Sequence, residues 1–215
     1  MTEYERVRGQ SEQAIQNIPE KRNGKRPEIQ VKKQGKYGKL TIRDMTLIGL
    51  IVAILEVCKA ALSFLPNIEL VSFWIILFTV FFHKKIFFAI PAFVLIEGLI
   101  YGFGMWWFSY LYVWPLLALV SYLFRRQESV WFWSILSSVF GLFFGFMCAI
   151  SYAAVGVVDG GLRSGLHTGF VWWVAGIKMD IIHAVGNFVL MMVLYHPVSM
   201  TMKKLVSTYT FDSSI

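Results

Sequence analysis

IELVSFWIILFTVFFHKKIFFAIPAFVLIEGLIYG, residues 68–102, holds two apolar runs divided by the basic triplet His83-Lys84-Lys85. A helix needs roughly 20 mainly apolar residues to cross hydrocarbon, and a basic triplet between two such runs reads as a turn in water. The segment therefore predicts a pair of membrane helices, the first of them short. Similar runs continue in both directions, from about Met45 to Tyr195. The expected spans are 43–65, 68–82, 86–102, 107–124, 131–155 and 169–195. They are broken at Pro66-Asn67, His83 to Lys85, Gly102 to Trp106, Arg125 to Glu128 and Gly156 to Thr168. The fold class is all-α, an integral membrane bundle of six transmembrane helices over residues 41–205.

Composition agrees, with 57% hydrophobic and 15% charged residues among 215, which sets aside the water-soluble globular classes. The net charge of +7 reports topology rather than nucleic-acid binding. Seventeen of the twenty Lys and Arg residues fall on one side of the six-span scheme. That bias predicts both termini in the cytoplasm (N-in/C-in) of a multi-pass protein of the cell membrane. Residues 1–40 are basic and lack apolar periodicity, so they are expected as a disordered cytoplasmic tail, with a second cytoplasmic tail at 206–215. No secretory signal is expected in the polar N-terminal segment. Cys58 and Cys148 lie inside apolar runs with no partner pattern, so burial is expected, not a disulfide or a metal site.

Ser137, Gly141, Gly145, Ala149 and Ala153 recur every four residues, a smooth stripe where another backbone can approach. Ionisable groups inside spans are costly and are candidate functional groups. Glu56 and Lys59 stand three apart and can pair with each other. Glu97 lies in the third span, and Lys178, Asp180 and His183 lie in the sixth. There Trp173, Gly176, Asp180, His183 and Asn187 follow one helical face, either an interhelical network or a ligand wall. Polar residues are enriched toward the outer half, among them Glu69, Glu97 and Tyr152. Trp106, Trp107, Tyr110 and Trp114 crowd the start of the fourth span. They serve either as an interfacial belt or as stacking walls for a flat ligand. The loop at 156–168, with Asp159-Gly160-Gly161, reads as a flap over an outward site or as an idle connection. No phosphate-binding loop, zinc helix or nucleophile elbow occurs.

In Leu65-Pro66-Asn67-Ile68-Glu69-Leu70-Val71-Ser72, Trp172-Trp173-Val174-Ala175-Gly176-Ile177, Asp180-Ile181-Ile182-His183 and Asn187-Phe188, the chain resembles the substrate-binding S component of energy-coupling factor (ECF) vitamin transporters. The resemblance covers roughly 40–205. It implies a subunit that captures a vitamin-like, ring-containing molecule from outside and joins a transmembrane coupling subunit and two ATPases. It also implies delivery by toppling in the membrane, without chemistry on the ligand and without a cofactor or metal. By the same resemblance Gly49 and Ala53 form the small-residue face that meets the coupling subunit, and Lys178 departs from an expected apolar position. The expected substrate-binding residues are Asn67, Glu97, Trp106, Trp107, Tyr110, Trp114, Tyr152, Trp173, Lys178, Asp180, His183 and Asn187. The alternatives are a small membrane enzyme using Asp180 and His183 as a proton-transfer pair, or a solitary carrier or channel.

Overall fold

A computed structural model describes residues 40–209, and among these every regular element is helical. Residues 1–39 of the predicted N-terminal tail and residues 210–215 of the predicted C-terminal one lie outside them. Helix α1 covers Ile42–Ala61, α2 Val71–Phe82, α3 Ile86–Tyr101, α4 Met105–Leu123 and α5 Val130–Tyr209, with a single 3₁₀ turn at His83–Lys85. Helix α5 is interrupted at Gly160 and Gly161, whose backbones leave the helical region, and so consists of two arms. Three helical stretches are long and apolar enough to cross a membrane: Val71–Tyr101, Met105–Leu123 and Val130–Thr208. The first of these is broken at His83, which takes φ 51°.

Helix α1 begins on a capping box: the Thr41 hydroxyl accepts from the Asp44 N–H, and the Asp44 carboxylate accepts from the Thr41 N–H. Two of the orphan donors at the helix start are thereby satisfied. Thr41→Ala is expected to lower the melting temperature of the purified chain by an amount equivalent to about 1 kcal/mol. An unchanged melting curve would mean that the cap adds nothing.

Contacts between elements fix their relative directions. Asp44 pairs with Lys85 at 2.7 Å at one end, and Lys59 pairs with Glu97 at the other, so α1 and α3 run parallel. Trp74 donates to the Cys58 Sγ, setting α2 against α1. Trp107 donates to the Val94 carbonyl while Phe87 packs on Tyr122, which makes α3 and α4 antiparallel. Tyr112 donates to the Met147 carbonyl and Phe124 meets Phe132, which reverses the chain again. The arms of α5 run antiparallel, with Asp180 against Gly145 and Trp131 against Phe188.

Helix α2 is apolar on all sides and occupies the centre, with Val71, Phe73, Ile75, Ile76, Leu77 and Phe78 almost fully buried. Its 12 residues give a rod of about 18 Å at 1.5 Å per residue, well short of the hydrocarbon thickness.

The small-residue stripe is a packing seam between the arms. A Cβ on Gly141 would meet the His183–Ala184 backbone at 3.0 Å, one on Gly145 would overlap the Asp180 carboxylate, and Gly169 sits against Ala149 and Ala153. The expected flexible loop at 156–168 is corrected here. Only Gly160 and Gly161 depart from helix, and Gly156 and Gly165 instead let the two arms touch. These glycines provide close approach rather than a flap.

Candidate functional site

The end of α1 does not pass straight into α2. Residues 62–70 make successive tight turns, with Leu65 N–H donating to the Leu62 carbonyl and Asn67 at φ 55°. Asparagine tolerates that left-handed conformation better than most residues. The turns hold Ser63, Asn67 and Glu69 at the rim of a cavity of about 330 Å³. Lys59 of α1, Glu97 and Tyr101 of α3, Trp106 and Tyr110 of α4, and Phe144 and His183 from the two arms of α5 complete its wall.

Charge is concentrated here. Glu97 is fully buried, salt-bridged to Lys59 and in hydrogen-bond contact with the Glu56 carboxyl. The Lys59 ammonium also lies 4.9 Å from the Tyr110 ring centre, 5.3 Å from Tyr101 and 5.6 Å from Trp106. A desolvated ammonium among aromatic faces gains from their quadrupoles. Across the cavity, Glu69 Oε1 stands 3.8 Å from His183 Nε2, which has no hydrogen-bond partner of its own. His183 rests edge-on against Phe144 at 4.9 Å. Trp106, Tyr110 and Trp114 form a ladder of edge-to-face rings one turn apart along α4.

Of the residues expected at the site, the structure brings Asn67, Glu97, Trp106, Tyr110 and His183 to this cavity. The others lie elsewhere. Trp114 is the buried foot of the α4 ladder, and Trp107 is held by its bond to Val94. Tyr152 stacks on Trp172 at 4.4 Å between the arms of α5. Trp173 lines a separate, almost wholly apolar hollow with Phe146 and Phe170. Lys178 is exposed. Asp180 accepts the Gly145 N–H at 2.9 Å, and Asn187 donates to the Ser137 carbonyl at 3.2 Å, so both join the seam. Asp180 thus faces the seam while His183 faces the cavity, on neighbouring turns of one arm.

Lys59, Glu69 and Tyr101 belong to the cavity but were not among the expected site residues. Glu69 had a signal in its outer position, and Lys59 in being an ionisable group within an apolar run. On α1, Gly49 and Ala53 are exposed, and nothing lies within 4 Å of a Cβ built on Gly49.

Compared with known protein families, curated proteins and solved structures, the chain matches none of them.

Proposed function

We propose that this chain is the high-affinity substrate-binding subunit, the S component, of an ECF-type importer in the cell membrane, taking up a vitamin or related ring-containing micronutrient. The observation that carries the reading is the cavity itself, an aromatic-walled hollow with a few convergent polar groups, at the size expected for a small-molecule site. It lies at the end of the helices that holds Lys59, Glu97 and Trp106. The basic residues Lys84, Lys85, Arg125 and Arg126 gather at the opposite end, beside the starts of α1 and α3. With the positive-inside bias, that distribution supports a reading in which the cavity faces outward and both termini are cytoplasmic. In this reading α1, α2, α3, α4 and the two arms of α5 are the six crossings, with α2 shielded by protein rather than matched to the bilayer.

The open face of α1 around Gly49 and Ala53 supports docking of a coupling subunit, because small residues let a partner helix approach closely. The ligand would be captured unmodified, and the energy for delivery would come from partner ATPases through toppling of this subunit.

The test has two parts. Native mass spectrometry of the gently purified full chain, followed by denaturation, is expected to release a stoichiometric ring-containing small molecule. Gly49→Leu, which has room on an exposed face, is expected to retain that molecule while uptake into cells falls to background. Normal uptake by the variant would remove the coupling face. An empty chain that binds nothing in a vitamin panel would remove the binding-subunit reading.

A further inference from the structure

The charges lining the cavity do not balance. Among the described residues Lys59 is its one Lys or Arg side chain, and Glu97 already holds it in a salt bridge while three aromatic rings surround its ammonium. Glu56, one turn before Lys59 on α1, adds a further acidic group beside the Lys59–Glu97 pair. Among the described residues Glu69 has His183 as its nearest basic neighbour, at 3.8 Å and beyond hydrogen-bonding distance, with Lys59 acting on it from farther away. One buried polar atom on the lining, His183 Nε2, has no partner, whereas the Glu97 carboxyl is in hydrogen-bond contact with Glu56. His183 is 3% exposed, so water meets that nitrogen poorly. A buried polar atom without a partner is costly, and a ligand that supplies the missing partner gains the difference.

An anionic ligand would meet the Glu69 carboxylate and find Lys59, which already acts on both Glu97 and Glu69, with no charge to spare. A neutral ligand would leave Glu69 uncompensated. A cation would pair with Glu69, and its ring would continue the edge-to-face ladder of Trp106 and Tyr110.

We infer that the ligand is a ring-containing organic cation, an arylalkylamine or a protonated nitrogen heterocycle, whose charged nitrogen docks at Glu69 and whose ring lies against Trp106 and Tyr110. This rests on the binding-subunit reading and specifies its substrate class. Lys59, Glu97 and Glu56 then form the fixed side of the site, which offers no spare positive charge, and Glu69 is the carboxylate that selects charge.

The experiment uses the full-length purified chain and matched probes on one ring. These are tryptamine, tryptophol and indole-3-propanoate, with the corresponding aminoethyl, hydroxyethyl and carboxyethyl pyridines and pyrimidines. Thermal-shift titration is run on the unmodified chain, on Glu69→Gln and on Glu128→Gln. The last removes an exposed carboxylate at the far end of the bundle. Stabilisation is expected to concentrate in the amines, to weaken about tenfold or more in Glu69→Gln, and to persist in Glu128→Gln. Any molecule that co-purifies with the chain is expected to carry a cationic nitrogen. Stabilisation by the neutral or anionic probes, a neutral or anionic co-purified molecule, or amine binding that survives Glu69→Gln would overturn the cation assignment and leave the binding subunit standing. No shift with any probe or with a vitamin panel, together with no co-purified molecule, would overturn both.

Discussion

Lys59→Met is expected to destabilise the chain by about 3–5 kcal/mol, the cost of removing one partner from a buried ion pair. Glu97 has no exposed surface, and its salt bridge to Lys59 is what satisfies Oε2; its other close polar neighbour is the Glu56 carboxyl, which brings no positive charge. Methionine fills much of the volume of the lysine stem but leaves the carboxylate stranded, with acidic Glu56 nearby. The reciprocal change is expected to be milder. In Glu97→Gln the Lys59 side chain retains 21% exposure and three aromatic faces, and a loss of about 1–2 kcal/mol follows. The double variant is expected to lose less than the sum of the two single changes, because neither Lys59 nor Glu97 is then left as an unpaired charge, although Glu56 still lacks the lysine. Reversible unfolding in mixed micelles gives all four corners of the cycle. Equal, additive losses in the two single variants would show that the pair is not coupled.

Gly145→Leu is expected to be comparably damaging, at about 3–5 kcal/mol, through overpacking together with loss of a buried hydrogen bond. A Cβ at this position would lie 2.8 Å from the Asp180 Cγ and closer still to its oxygens, while the Gly145 N–H donates to that same carboxylate. The arms of α5 would have to separate. Gly176→Ala serves as the comparison, since nothing lies within 4 Å of its added Cβ and alanine favours helix by about 0.5–1 kcal/mol. Thermal melts followed by circular dichroism should show a lower midpoint for the first and an unchanged or higher one for the second. A Gly145→Leu chain that melts with the parent would mean that the arms do not meet at this seam.

Features set by local pattern were legible in the sequence. The basic triplet at His83–Lys85, the Gly102–Gly104 break and the four-residue stripe in α5 appear where they were expected, because each depends only on neighbours along the chain. The segment 156–168 was misread since glycine serves both turns and close contacts, and the sequence does not show which arm will lie against it. At the site, Trp106, Trp107, Tyr110 and Trp114 could not be sorted by helical phase, because nearly every position of that segment is aromatic or apolar. The structure turns Trp106 and Tyr110 to the cavity and Trp107 to a backbone carbonyl. Lys59 could be paired in the sequence only with Glu56, three residues away, and it does act on that group, but its salt bridge reaches across 38 residues to Glu97. A helix offers a plausible partner on its own face, and only the packing of α1 on α3 reveals the other one.

The enclosed position of α2 bears on how the chain is made. Synthesis completes this helix early, yet much of what surrounds it, Trp114 and Leu117 of α4 and Trp133 and Met191 of α5 within the same core, is added later. Thr79 is prepared for the interval, since its hydroxyl bonds back to the Ile75 carbonyl within α2 and needs no neighbour. The centre of the molecule thus waits for its periphery. A chain cut short before the second arm of α5 would present an unfinished interior to the cell's quality control rather than a smaller version of the same fold.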